Sequence, residues 1–388
     1  MTVKRPITVA FFATRLRRTG PMRQMLSMAR ASAVEGFEIH VVTLFDELSG
    51  DSIKDEYLKA LPDASFECLE VSKFTSILRG KAVARRAFSG FEPDVIYCLG
   101  MPLYAIAVKY DRAAHVTTLR NYCYEDYPDR YGKPMGAYLC SRDMRLLAKA
   151  EHSAHEYVYA CSSSISDMYA ERKGLRFPYI RNGVDCTKFS PVGPDGKAGV
   201  RKLLGIPCDA KLFVYAAIFN ERKNQEFILR AVSQSTGLDG CLFAFLGDGA
   251  KLGELKEIYG SDDRFLFAGQ VDNVIDYLAA ADFYITSSMS EGLPNGVMEA
   301  LAAGLPAVMS GIPQHKEIAE LGVAVELFSL DDYASCLEAV ERVLKRDYTQ
   351  LSLEARRMAV EELGSEKMGS QYVSVFKGAA EGNKERNE

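Results

Sequence analysis

What most constrains this chain is a change of hydrophobic period, from continuous apolar runs to amphipathic stretches, repeated from end to end. In the first half, ITVAFFAT (7–14) reads as a buried strand, MRQMLSMARASAVEG (22–36) as a helix closed by glycine, and FEIHVVTL (37–44) as the next strand. DVIYCLG (94–100), HVTTLRN (115–121) and EYVYACSSS (156–164) continue the series. The pattern restarts with strand LFVYAAIF (212–219), helix QEFILRAVSQ (225–234), strand CLFAFLGDG (241–249), helix AKLGELKEIY (250–259) and strand FLFAGQV (265–271). Helix NVIDYLAAA (273–281) and strands DFYITSS (282–288), LPAVMSG (305–311) and VAVELF (323–328) follow, and the remainder reads as helices. Apolar runs of this kind belong to parallel strands buried on both faces, with helices as the crossovers. The fold class is therefore α/β, with two Rossmann-like, doubly wound parallel sheets.

Two sheets agree with the length, because 388 residues exceed what one hydrophobic core usually serves. The Pro/Gly/Ser-rich stretch TKFSPVGPDGKAG (187–199) is the linker candidate and puts the first domain at 1–188. Charge divides the same way: residues 1–188 hold 27 Lys and Arg against 22 Asp and Glu, and the rest 20 against 30. The basic first domain is expected to meet an anionic partner. No apolar run reaches the roughly 18–20 residues that span a bilayer. The apolar run in MTVKRPITVAFFAT is short and lacks a small-residue cleavage site, so it reads as a strand and not a signal peptide. Nine cysteines stand singly with no C-x-x-C, which indicates neither a disulfide framework nor a zinc site and fits a reduced, cytoplasmic setting.

The stretch EGLPNGVMEALAAGLPAVMS (291–310) carries the chemistry. It follows a strand, at the edge where doubly wound sheets bind ligands, and a helix starts near Gly296. Free amides at such a start suit a diphosphate. Glu291 and Glu299 can accept hydrogen bonds from sugar hydroxyls, although Glu299 alone also reads as complementing the helix dipole. H-S-A-H (152–155) lacks the partners of a metal site, and no metal is expected. There is no G-x-G-x-x-G for a dinucleotide and no D-x-D to hold a metal-bound diphosphate. SKFTSILRGKAVARRAF (72–88) is basic and amphipathic; it reads either as a solvated helix face or as a contact to an anionic membrane surface.

The 291–306 segment resembles the signature of retaining GT-B glycosyltransferases of family 4, the group 1 glycosyltransferases. RNGVDCTKFSP (181–191), NERKNQ (220–225), FLGDGAKLGEL (245–255) and FAGQVDNVIDYLAAADFYITSS (267–288) match in order, so the specific resemblance covers roughly 180–310. It implies two domains facing across a cleft: an acceptor-binding domain (1–188), a nucleotide-sugar-binding domain (189–365), and a C-terminal helix (366–388) crossing back, with its tail EGNKERNE disordered. By the same resemblance Glu291, Lys223 and Arg222 are catalytic. Gly20, Asn182, Gly269, Val271, Val274, Gly292, Leu293, Pro294, Asn295, Gly296 and Glu299 join them in holding the donor. Asp248 reads as a turn former. Many members carry a histidine where this chain has Arg120; Arg120, Asn121, Tyr122, Asp126 and Tyr127 are the acceptor-side candidates. The implied activity is retaining transfer of a hexose or N-acetylhexosamine, without cofactor, from a nucleotide-diphosphate sugar. UDP-sugars are favoured and GDP-mannose comes second. The acceptor would be a glycan or lipid-linked glycan in surface polysaccharide synthesis, at the inner membrane face; no nucleic acid is involved. The alternatives are a sugar-nucleotide epimerase or a non-catalytic sugar-nucleotide-binding protein.

Overall fold

In the computed structural model, residues 5–46 and 52–387 are described, apart from the side chains of Lys73, Phe74, Ile77, Arg386 and Asn387. The chain divides into unit 1 (residues 1–183 with 365–388) and unit 2 (184–364). In unit 1 the elements are β1 (Thr8–Ala13), α1 (Gly20–Val34), β2 (Glu38–Thr43), α2 (Lys54–Ala60), β3 (Ser65–Cys68), α3 (Lys73–Leu78), α4 (Gly80–Phe88) and β4 (Val95–Cys98). They continue with α5 (Met101–Ala107), β5 (Ala114–Leu119), α6 (Cys123–Tyr131), α7 (Lys133–Ala150), β6 (Glu156–Ala160) and α8 (Ser163–Lys173). Unit 2 runs α9 (Pro194–Leu204), β7 (Lys211–Ala216), α10 (Gln225–Ser233), β8 (Cys241–Leu246), α11 (Leu252–Tyr259), β9 (Phe265–Gly269), α12 (Val274–Ala280) and β10 (Phe283–Thr286). It closes with α13 (Asn295–Ala302), β11 (Ala307–Ser310), α14 (Pro313–Ala319), β12 (Val325–Phe328), α15 (Tyr333–Lys345) and α16 (Tyr348–Glu362); α17 (Ser365–Asn387) returns to unit 1.

Both sheets are parallel with one topology. Their orders are β3-β2-β1-β4-β5-β6 and β9-β8-β7-β10-β11-β12. The strand order reverses between β1 and β4, and again between β7 and β10; ligands of open α/β sheets bind outside the carboxyl ends at such switch points. The central strands are buried along their length: β1 is TVAFFA with every residue inside. In unit 1, α17 covers the same sheet face as α1, where Phe376 packs edge-on against Phe11 and Tyr372 against Tyr97. Fully burying an aromatic ring stabilises by about 2–3 kcal/mol.

Three expectations need correction, and the α4 part of 72–88 shows the solvated helix face that was one of its two readings. The second half of the linker candidate, from Pro194, is helical. The chain passes between units at Gly183–Val184, and α9 begins inside 187–199 because Pro194 suits a first helical turn. Buried Arg201 then ties α9 to unit 2 through Asp282 at 2.7 Å. The tail is helical to Asn387: buried Asn383 donates to the carbonyls of Asp94 (3.4 Å) and Arg112 (3.0 Å), which ties the last turns down. A further strand, β3, exists where the four-residue SFEC is too short for its alternation to give a signal. Finally, Val83 and Phe88 of the basic 72–88 segment face the core, so α4 shows solvent its cations and not an apolar stripe. Leu78 is exposed, while the side chains of Lys73, Phe74 and Ile77 lie outside the described residues. No described helix is long and apolar enough to cross a membrane.

Candidate functional site

At the carboxyl ends of β7 and β10 the unit 2 backbone makes two facing loops. The β7 loop, 217–224, ends in Asn224 with φ +51, a left-handed conformation that asparagine tolerates. Asn220 Oδ1 accepts from the Lys223 amide at 2.9 Å, which folds the loop on itself. It is then pinned to the end of β10. Tyr215 Oη donates to Lys223 O (2.6 Å), Ser287 Oγ to Asn224 O (2.6 Å), and the Met289 amide to Arg222 O (2.8 Å). These bonds bring Arg222 and Lys223 to Glu291.

Glu291 is 7 % exposed. Its Oε1 accepts from Lys223 Nζ, and Oε2 lies 3.6 Å from Arg222 Nη1, which also donates to Ser290 O at 2.8 Å. Burial alone would raise its carboxyl pKa; the charges of Lys223 and Arg222 outweigh burial and hold it below the ordinary value. The group is thus ionised at neutral pH and a weak base.

Glu291 leads through Gly292, Leu293 and Pro294 into α13. Pro294 is the cap residue in an extended conformation, and no side chain caps the helix. The first-turn N–H groups therefore point toward the sheet edge without a side-chain acceptor from the cap position. Gly296 is obligatory in its place, since a Cβ would overlap Tyr284 Oη and press Ala216 O at 3.3 Å. Glu299 sits in the second turn of α13.

Beside this turn lies a cavity of about 440 Å³, between Ala216–Ile218, Leu246–Gly249, Gln270, Val271, Val274 and Glu299. Its wall depends on Gly247 (φ +135) and Gly249 (φ +148), whose backbones lie directly against Ala217 and Phe219. Asp248 shapes the turn, accepting from the Gly249 amide at 2.7 Å. Gly269 (φ +68) accepts from the Gly247 amide at 2.7 Å and leads the chain into Val271.

The structure thus brings together Arg222, Lys223 and Glu291 as one ion cluster, and Val271, Val274 and Glu299 as one cavity wall, joined by the 292–296 turn. The other candidates lie in unit 1. Gly20 starts α1, and Asn182 is buried with its amide donating to Cys161 O at 3.2 Å. Tyr122 is buried against the rings of Tyr124 and Tyr169, and Tyr127 Oη donates to Asp143 at 2.6 Å. Asn121 donates to Asp126 at 3.2 Å. Arg120 donates to Gln24 and, at 3.3 Å, to Tyr97 Oη. Among the described residues, no cluster of three or more His, Cys, Asp or Glu is placed to hold a metal ion.

One residue of the site has no counterpart among the expected ones. His315, on α14 after β11, is fully buried; its Nδ1 lies 2.8 Å from Ser310 O, while Nε2 is buried with no partner. A carbonyl at Nδ1 assigns the proton there and leaves Nε2 a bare acceptor. Burial pushes the imidazole down to about 4 against the pull of Glu291, so it is neutral at pH 7. The available signal was its position: a polar residue just past the carboxyl end of the strand next to β10.

Residues 210–346 match the family model described as glycosyl transferases, group 1. The chain is 27% identical over 186 residues to UDP-Gal:alpha-D-GlcNAc-diphosphoundecaprenol alpha-1,3-galactosyltransferase of Escherichia coli; the match covers 46% of this chain and 47% of that protein, about half its length. It is 21% identical over 337 residues to the O-antigen biosynthesis glycosyltransferase WclY of Escherichia coli, covering 82% and 88%. Among solved structures, a glycosyltransferase from Rickettsia africae superposes with TM-score 0.75 at 14% identity, covering 96% of this chain and 98% of that one. Anabaena Alr3699/HepE in complex with UDP and glucose gives TM-score 0.75 at 16% identity, covering 96% and 99%.

Proposed function

For a chain that belongs to the group 1 glycosyl transferases and has the GT-B fold, we propose retaining transfer of a hexose or N-acetylhexosamine from a UDP-sugar to a glycan or lipid-linked glycan. The observation that carries this reading is the Lys223–Glu291–Arg222 cluster at the switch point of unit 2, next to a cavity with Glu299 on its wall. The Escherichia coli relative named for UDP-Gal and a diphosphoundecaprenol acceptor, and the HepE complexes with UDP, support the choice of nucleotide and acceptor class.

In this reading the base lies against Gln270, Val271 and Val274, and Glu299 accepts from the ribose hydroxyls. The amides of the 292–296 turn meet the diphosphate. Lys223 and Arg222 neutralise the charge that grows on it as the bond to the sugar breaks. Glu291 stays ionised and accepts from the sugar hydroxyls, which fixes the ring for attack. The acceptor oxygen bonds to the anomeric carbon on the face the diphosphate leaves, and its proton passes to the departing phosphate oxygen. No protein base is needed for this balance. The charge comes from side chains, so no metal is needed either.

Incubating the full chain with a panel of UDP- and GDP-sugars and candidate acceptors tests this. Expected are acceptor-dependent UDP release, a product with the donor's anomeric configuration, and rates unchanged by a chelator. Epimerised donor without nucleotide release, an inverted product, or loss of rate with chelator would each overturn the corresponding part.

A further inference from the structure

The second switch point, in unit 1, handles charge differently. Arg120 directly follows β5, the strand next to β4, and its guanidinium is half-buried and bonded only to neutral groups, Gln24 Oε1 on α1 and Tyr97 Oη on β4. Its Nε–H is buried with no acceptor, and no carboxylate lies within ion-pair distance among the described residues. The supporting groups offer no hidden counter-charge. Gln24, on α1, is 3 % exposed, and Tyr97 is fully buried. Tyr97 Oη shares a hydrogen bond with Thr118 Oγ1 at 3.0 Å, and that hydroxyl another with Tyr372 Oη at 2.6 Å. Burial pushes the phenols of Tyr57 and Tyr372, both of which feel Arg120, well above their ordinary value, so neither is a phenolate. Asp126, on the segment that follows, is engaged elsewhere, by Asn121 at 3.2 Å and by Arg130 at 3.7 Å.

The neighbouring helix start adds positive character. α1 has no side-chain cap and no acid in its first turn. Arg23, beside Gln24 in the sequence, likewise has a buried Nε–H without an acceptor. Holding a guanidinium partly out of water without a counter-ion is unfavourable, and a neutral side chain of similar size would avoid that cost. A planar fork with unused donors fits a phosphate or carboxylate, which it can grip through two hydrogen bonds.

We propose that Arg120, seated on Gln24 and Tyr97, is the recognition site for an oxyanion carried by the acceptor: unit 1 takes an acceptor that bears a phosphate or a carboxylate. The inference rests on the reading of the chain as a glycosyltransferase, but it is tested by binding alone. A Lys223→Ala chain removes the ammonium of unit 2, and inorganic phosphate and glucuronate are titrated into it by calorimetry, with and without Arg120→Gln and Arg120→Lys. Saturable binding of one anion is expected, at least tenfold weaker with Arg120→Gln and partly restored by Arg120→Lys. Phosphate as the bound probe marks a phosphorylated or lipid-diphosphate acceptor, and glucuronate an acidic sugar. Without ligand, Arg120→Gln is expected to melt no lower than the parent, because it relieves an uncompensated charge.

Binding unchanged by Arg120→Gln, or no binding of either anion, overturns the proposal. A lowered melting point together with lost binding assigns Arg120 a structural role instead. With Lys223 in place, UDP affinity is expected to stay within twofold on Arg120→Gln; a parallel fall would give the arginine to the nucleotide. Absence of sugar transfer to any acceptor would sink the glycosyltransferase reading while leaving these binding results interpretable.

Discussion

The two sheets share one strand order, and the contrast between them lies in what meets the charge at their edges. In unit 2 two buried carboxylates have their opposite charges beside them. Glu291 faces Lys223 and Arg222 at the carboxyl edge, and Asp282 faces Lys197 and Arg201, both at 2.7 Å, at the amino end of β10. In unit 1 the charge at the carboxyl edge is Arg120 on neutral supports. One topology therefore carries a pre-neutralised site and a site whose counter-ion must arrive with a ligand. The amino edge of unit 2 adds a control, because the same residue types serve architecture alone there. Arg201 also donates to the carbonyls of Ala280, Cys208 and Ala210.

The largest expected effect is Arg201→Met, which strands Asp282 with Lys197 and unties five carbonyl and carboxylate contacts. It should cost on the order of 3–5 kcal/mol in denaturant unfolding of unit 2, with transfer per folded molecule unchanged. A midpoint equal to the parent would show that the amino-edge charges are dispensable. Next is Lys223→Ala, expected to lower kcat about 10²–10³-fold in initial-rate assays, since it removes charge stabilisation of the leaving diphosphate. A near-normal kcat would place that stabilisation elsewhere.

Smaller still is Glu299→Gln. It should raise the KM for donor about tenfold and leave kcat near the parent's, as expected for a contact made equally in ground and transition states. A loss confined to kcat would refute the ribose assignment.

The smallest effect at neutral pH belongs to His315→Gln. The unfolded imidazole takes up a proton near 6.5, whereas the native one resists until about 4, so native stability falls as pH drops through that interval. Glu291 acts in the same direction at lower pH, because its depressed carboxyl loses its stabilising charge as it protonates. The variant should therefore flatten the stability–pH curve between about 6.5 and 4 and leave the steeper acid limb. An unchanged slope would mean that His315 is not the group resisting protonation.

Legibility followed burial. Eleven of the twelve described strands announced themselves as apolar runs; the exception, β3, is a four-residue edge strand whose SFEC alternates polar with half-buried apolar residues too briefly to stand out. The 187–199 stretch looked like a linker because Pro and Gly dominate it, yet Pro194 opens a helix and Arg201 anchors it. In 72–88 the sequence showed an amphipathic helix, but periodicity cannot tell whether the apolar stripe meets core or solvent; Val83 and Phe88 meet the core. The tail looked too polar to fold, and one buried amide at Asn383 made the difference. His315 escaped because a histidine's role depends on what surrounds it, and its neighbour Glu291 comes from another strand end.

By itself, then, the amino-acid order determined the local periods, hence two parallel sheets with helical crossovers. It also determined the motif spacing that places Glu291, Gly296 and Glu299 around one turn. Those are properties of short range, set by backbone sterics and by which side chains avoid water. Tertiary structure alone decided which charges meet: that Lys223, 68 residues from Glu291, closes on its carboxylate, and that Arg120, among the described residues, finds only Gln24 and Tyr97. The reason is physical, since the energy of a buried charge depends on groups that chain folding brings within a few ångströms, and spacing along the sequence does not carry that information.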